Sequence, residues 1–202
     1  RIQVQEKPGE TRAFTRWLER NVRAHRLPGY RAVVLSLKRA GQAPGDATDE
    51  QMNAAADLAD RFSHGELRVT HQQNLVLPWV AASELFALWQ AAKASSFATP
   101  NIGLVSAMIA CPGGDFCALA NARSIPLAAQ ITERFADIDA LNDIGAIDLH
   151  IRGCINSCGH HHTAAHDLGR RLAHARGDPA PRLPDHRGSA PARQAAGAEL
   201  RF

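Results

Sequence analysis

The sequence predicts an α+β protein. Three observations carry that reading. Residues 30–98 alternate strand and helix patterns in the order β-α-β-β-α. Residues 99–162 add a strand, a short helix and a second strand, and they hold all four cysteines of the chain. From about residue 163 the composition shifts to Ala, Arg, Pro, His and Gly, with no periodicity left. The chain has 202 residues, 45% of them hydrophobic, which is enough for one large or two small domains with a buried core.

The elements follow in chain order. A helix is expected over Thr11–Ala24, with Phe14, Trp17, Leu18 and Val22 on one side at helical spacing. Pro28-Gly29 breaks the chain. Tyr30–Leu37 alternates and is rich in Val and Leu, so it reads as a strand, and Ala40–Asp46 as a loop. Thr48 opens a helix as N-cap, and Gln51 three residues on completes a capping box. Met52, Ala55, Ala56, Ala59 and Phe62 form its expected apolar face, and Gly65 stops it. Leu67–Thr70 and Asn74–Leu77 read as strands around the polar His71-Gln72-Gln73. Ser83–Lys93 is an amphipathic helix with Leu85, Phe86, Leu88, Trp89 and Ala92 as its apolar set. The resulting order is a half-unit of the ferredoxin-like pattern.

Beyond a loop at Thr99–Asn101, Ile102–Ala110 reads as a buried strand. Ser124 is expected to cap a helix with Pro126 in its first turn, carrying Leu127, Ile131 and Phe135. Ile147–Ile151 alternates as a strand. Asp137, Asp139 and Asp143 read as solvated loop and cap residues rather than acid–base groups. Phe14/Trp17 and Phe86/Trp89 read as core. Residues 163–202 are too poor in aliphatics to offset their chain entropy and are expected to be disordered.

Bulk properties exclude several classes. No apolar run approaches the roughly 20 residues that span a bilayer, and no export signal precedes the first helix. The chain begins at Arg1 without a Met, which suggests a fragment. Cytoplasmic, reduced thiols are therefore expected. The net charge of +3 is too weak to indicate nucleic acid, and the basic tail has only Phe202 as a stacking platform. No phosphate loop or Ser-His-Asp arrangement stands out.

The chemistry lies in the cysteines. They fall in two tight pairs, Cys111/Cys117 and Cys154/Cys158, each following an expected strand. Four thiolates suit one metal centre, either zinc or an iron–sulfur cluster, with free thiols and disulfides as the other readings. Gly113, Gly114, Gly153 and Gly159 crowd the pairs, and the five-residue gap fits structural zinc less well, so the local sequence favours the cluster. His160, His161, His162 and His166 offer a further donor set. Joined to Cys154 and Cys158 they would make a zinc-binding module; otherwise they are a polar turn.

The segments Cys111-Pro-Gly-Gly-Asp-Phe-Cys117-Ala-Leu-Ala-Asn-Ala-Arg-Ser-Ile-Pro126 and Gly153-Cys-Ile-Asn-Ser-Cys-Gly-His160 resemble the sirohaem and 4Fe-4S signature of assimilatory nitrite and sulfite reductases. Upstream, Gly29-Tyr30, Ser36-Leu-Lys38, Ala43-Pro-Gly-Asp46, Ala56-Asp-Leu-Ala-Asp60 and Leu67-Arg-Val-Thr-His-Gln-Gln-Asn74 are similar to the same family, with the bacterial sulfite reductase haemoprotein subunit as the nearest pattern. The resemblance runs from about Ala13 to His162.

It implies a ferredoxin-like half-domain (residues 30–98) after a linker helix region (1–29), then part of an α/β sirohaem and 4Fe-4S domain (99–162) and an irregular tail (163–202). It implies Cys111, Cys117, Cys154 and Cys158 as cluster ligands. Cys158 would bridge to the sirohaem iron and so be the catalytic contact. Lys38, Arg68, Arg123 and Arg152 become candidate partners of the sirohaem carboxylates, and Asn156 a donor to macrocycle or cluster. The implied reaction is six-electron reduction of sulfite to sulfide, or of nitrite to ammonia. The donor would be an NADPH flavoprotein or ferredoxin, with no nucleic-acid or membrane partner. The family's subunits are longer, and their substrate-gripping basic cluster has no counterpart in residues 1–202, so this stretch alone is expected to be inactive. The tail departs from the pattern abruptly after His162, as an out-of-frame or damaged gene end would.

Overall fold

The computed structural model describes residues 8–156 and 158–167. Expectations for residues 168–202, including the frame shift, lie outside the described residues. The elements are α1 (Pro8–Asn21), β1 (Val22–Ala24), β2 (Tyr30–Leu35), α2 (Asp49–Phe62), β3 (Arg68–Val69), β4 (Leu75–Ala81), α3 (Leu85–Ala94), β5 (Ile109–Ala110), α4 (Ser124–Arg134), α5 (Ile138–Ile144), β6 (Leu149–Ile151) and β7 (His166–Asp167). The α+β class and the ferredoxin-like half hold.

The first unit is an antiparallel sheet in the order β1-β2-β4-β3. Alternation in β2 and β4 sends Val33, Leu35, Leu75 and Leu77 to one face, where they meet Phe14 and Trp17 of α1, Ala55, Leu58 and Phe62 of α2, and Leu88 and Trp89 of α3. Burying each large apolar side chain contributes about 1.5–3 kcal/mol. The opposite face carries Ala32, Val34 and Val76, covered by Ile102 of the connecting segment.

Several boundaries differ from the sequence reading, each for a local reason. α1 ends at Asn21 rather than Ala24. The buried Asn21 amide donates to the carbonyls of Val34 (3.0 Å) and Thr99 (3.1 Å), and Val22–Ala24 becomes an edge strand paired with β2, Val22 opposite Val33. Val22 still packs on the core. The Thr48–Gln51 capping box is present. The buried face of α2 is Gln51, Ala55, Leu58, Ala59 and Phe62, whereas Met52 and Ala56 are exposed. The Gly65 N–H closes the helix on the Ala59 carbonyl at 3.0 Å.

The expected strand Ile102–Ala110 is buried as predicted but mostly not extended. Leu104 N–H turns back to the Asn101 carbonyl, a 3-10 turn follows at Val105–Ala107, and only Ile109–Ala110 forms β5. β5, β6 and β7 make a second, parallel sheet, with Ala110 beside Ile151 and Leu149 beside His166. β7, at residues 166–167, is regular structure within the stretch where the irregular tail was expected. The crossover from β5 to β6 runs through α4 and α5, as a parallel pair requires. Leu104, Met108, Ala128, Leu141, Leu149 and Ile151 form its core. Asp137 caps α5 by accepting from Asp139 N–H and Ala140 N–H. Arg12 and Arg16 of α1 pair with Asp139, and Arg20 Nε donates to Asn142 Oδ1 at 3.1 Å, tying the two units together. Among the described residues no helix is long and apolar enough to cross a membrane.

Candidate metal centre

Because β5 and β6 are parallel neighbours, both cysteine segments leave the second sheet at the same end. The two loops interlock. Cys111 N–H donates to the Ile151 carbonyl at 3.0 Å, and Gly153 N–H donates to Cys111 Sγ at 3.0 Å. Asn121 N–H and Ala122 N–H both donate to the Gly153 carbonyl, at 2.8 and 3.2 Å. Glycine at 153 is required by this approach: a Cβ there would stand 2.8 Å from both the Ala122 carbonyl oxygen and Gly113 Cα. Gly113 has φ of 61° and backs onto Ser124 in the same way. These glycines let backbone meet backbone, which is a different use from the expected approach to a bulky inorganic core.

All four cysteines are free thiols, which removes the disulfide reading. Cys111 is buried at 6% exposure, Cys117 and Cys154 are half-buried, and Cys158 is exposed. Ser124 Oγ lies 3.4 Å from Cys111 Sγ. Ser124 is thus the first residue of α4, spent on sulfur, and Arg123 holds the N-cap position without a side-chain cap. Among the described residues no three His, Cys, Asp or Glu side chains converge on a single ion. Among the described residues the Cys/His zinc set is not gathered: the His161 and His162 rings are tilted by 41° with centroids 3.9 Å apart, and His160 meets His71 edge-on. A cubane cluster takes one thiolate per iron and spreads its four sulfurs wider than a single ion does. The four soft thiols sit on two touching loops, and one of them, Cys111, already accepts an N–H.

The other candidates divide. Arg123 sits beside the first pair and pairs with Asp115 at 2.6 Å. Arg152 precedes the second pair, chelates Asp167 at 3.0 and 3.2 Å, and reaches the Cys154 carbonyl at 3.4 Å. Asn156 is exposed between Cys154 and Cys158. Arg68 is on the edge strand β3, paired with Glu66 at 2.6 Å. Lys38 is only 3% exposed, and its Nζ donates to Gln73 Oε1 at 2.8 Å. Burial lowers its pKa to about 7, against the opposing pull of Asp46. As placed, Lys38 faces the protein interior and is unavailable to a surface carboxylate. Around the cysteines, Phe116 (80% exposed), Leu119 (70%) and Ile155 (70%) leave apolar surface uncovered.

Sequence reasoning missed Gln73, Asn101 and the sulfur contact of Ser124. Asn101 is buried, accepts from Ser36 Oγ and donates to the Lys38 carbonyl. The signal for Gln73 and Asn101 was a polar residue directly beside an apolar strand run.

Comparison with known proteins agrees with this layout. The model of the nitrite/sulfite reductase ferredoxin-like half domain matches residues 31–95. A chloroplastic ferredoxin–nitrite reductase of Arabidopsis thaliana is 33% identical over 112 residues, covering 54% of this chain and 19% of that protein. A ferredoxin-dependent sulfite reductase of Mycolicibacterium paratuberculosis is 29% identical over 136 residues, 64% of this chain and 24% of that one. The solved structure of the Mycobacterium tuberculosis NirA protein superposes with a TM-score of 0.50 at 27% identity, covering 69% of this chain and 25% of that one. The chain thus spans about a fifth to a quarter of the length of these relatives. Residues 31–95 thus match a half domain of nitrite/sulfite reductases, and the chain is similar to members of that family.

Proposed function

We propose that the chain is the cofactor-binding part of a reductase that takes sulfite to sulfide, using a 4Fe-4S cluster held by Cys111, Cys117, Cys154 and Cys158. Cys158 is read as the ligand shared with sirohaem. The observation that carries this reading is the interlocking of the two cysteine loops at one end of β5 and β6. Nitrite reduction to ammonia is the second reading, favoured by the nitrite reductases among the relatives.

When bound, the cluster and sirohaem supply single-electron transfer and an open iron for the substrate. The chain's own residues do the rest. Gly153 N–H donates to Cys111 Sγ, a hydrogen bond that would raise the potential of a cluster bound there. Cys158, the exposed thiol, is the sulfur with room for a second metal. Arg123 and Arg152 flank the pairs and bring positive charge to a polycarboxylate, as exchangeable partners now held by Asp115 and Asp167. Asn156 adds a neutral donor in the same loop. Phe116, Leu119 and Ile155 give apolar surface for a macrocycle to cover. Lys38 is buried with its Nζ on Gln73 Oε1, so it would act on the site through Gln73. Arg68, on the β3 edge and paired with Glu66, is a cation that a carboxylate on that side would have to share with Glu66. The relatives' names point to ferredoxin as electron donor, with an NADPH flavoprotein as the alternative.

Anaerobic reconstitution of the chain with iron and sulfide tests the ligand set. About four irons and four acid-labile sulfides per chain are expected, with visible absorption. Cys158→Ser should remove the sirohaem–cluster coupling in the doubly loaded protein. A colourless, iron-free chain after reconstitution would sink the reading. Turnover of the loaded protein with sulfite and nitrite side by side separates the two substrates.

A further inference from the structure

We infer that Gln73 is a positioning residue that fixes the first cysteine from the neighbouring ferredoxin-like unit. Gln73 sits in the turn between β3 and β4 with φ of 56°, a left-handed conformation that a glutamine adopts only when held. Its side-chain amide pairs with both backbone groups of Ala110. Nε2 donates to the Ala110 carbonyl at 2.8 Å, and Oε1 accepts from Ala110 N–H at 3.1 Å. This reproduces one rung of a β-ladder on an edge of β5, one residue before Cys111. Cys111 itself donates its N–H to the Ile151 carbonyl and accepts from Gly153 N–H at its sulfur.

The amide is itself fixed. Lys38 Nζ donates to the same Oε1 at 2.8 Å, and Asn101 Nδ2 holds the Lys38 carbonyl at 2.9 Å. Gly45 makes the space, since a Cβ there would stand 2.8 Å from Gln73 Cβ. A buried polar chain thus runs from β2 through Lys38 and Gln73 to the first cysteine. A shift of the sheet against the cysteine loops must break bonds in this chain, so Gln73 couples the position of Cys111 to the packing of the two units.

The clamp is independent of any cofactor. Its consequence for a bound cluster rests on the ligand reading above, so the test has an arm for each. In the metal-free chain, Gln73→Met keeps side-chain length and deletes all three hydrogen bonds. Ala110 amide exchange and Cys111 alkylation should each rise at least about tenfold, the equivalent of one lost buried hydrogen bond. Gln73→Glu keeps the acceptor for Ala110 N–H and Lys38 but turns an oxygen toward the Ala110 carbonyl, so it should restore only part of the protection. Lys38→Met leaves Gln73 in place and should give a rise of a few-fold, which keeps the test open if Gln73→Met does not fold. In the reconstituted chain, Gln73→Met should shift the cluster's reduction potential and Gln73→Glu should shift it less. Unchanged Ala110 exchange and Cys111 alkylation in both Gln73→Met and Lys38→Met would overturn the proposal. Protected thiols that take up no iron would instead overturn only the ligand reading.

Discussion

Gly153→Ala isolates the contact between the two cysteine loops. An ordinary carbon–carbon contact is ~3.5 Å, so the added methyl stands about 0.7 Å too close to Gly113 Cα and about 0.4 Å too close to Ala120 Cβ, at 2.8 and 3.1 Å. The third neighbour, the Ala122 carbonyl oxygen, is also at 2.8 Å. Two of the three are backbone atoms and have no rotamer to turn away. Relief therefore means separating the loops. Overpacking of this kind costs about 2 kcal/mol. The movement also lengthens the Gly153 N–H to Cys111 Sγ bond, now 3.0 Å. Urea denaturation should show the stability loss, and iron content after reconstitution should fall. Thr48→Ala is the matched control. It removes the capping box of α2 at about 1 kcal/mol and lies in the other unit. It should lower the urea midpoint and leave iron uptake unchanged. Full iron uptake by Gly153→Ala would refute the claim that loop contact sets the cluster site.

Further outcomes are open to measurement. Burial holds Lys38 near 7 against an ordinary 10.5, so between those values the unfolded chain binds more protons than the folded one, and stability rises as pH climbs through that window. The urea midpoint of the native chain should rise from pH 7 to 9, and Lys38→Met should flatten that slope. Arg16→Ala removes one of two cations on Asp139 and should cost about 0.5 kcal/mol, with a weaker salt dependence of unfolding; an unchanged salt slope would show that α1 docks on α5 without help from charge.

How much of this was legible follows from how far each interaction reaches along the chain. The capping box joins residues three apart, and its letters are specific, so Thr48 and Gln51 were readable. The cysteine pairs are equally local, and their residue type has few alternative uses. Helical spacing placed Phe14 and Trp17 correctly but extended α1 through Val22, because periodicity does not register that Val33 waits as a strand partner. The apolar run at 102–110 was read as a strand because burial and extension share one signature in sequence. Asn101 and Gly103 turn the chain there while Ile102, Leu104, Val105, Met108 and Ile109 are still buried.

The positioning residues escaped for a different reason. Gln73 meets Ala110 across 37 positions and Asn101 meets Lys38 across 63. An amide side chain carries no spacing rule over such a distance, and glutamine in a turn is ordinary. Lys38 illustrates the consequence. Read as a cation beside a cofactor, it is a buried amine whose partner is a neutral amide, since sequence gave its charge type but not the direction it faces. The same reasoning ranks the remaining candidates. Arg123 and Arg152 are adjacent to the cysteines in sequence, and adjacency is a local property, so they stay beside the site in space. Arg68 relates to the site only through its strand, a non-local link, and it lies on the sheet edge against Glu66. Substituting Arg152 should therefore disturb cofactor retention more than substituting Arg68, and equal losses in the two variants would show that sequence adjacency to the cysteines carries no weight.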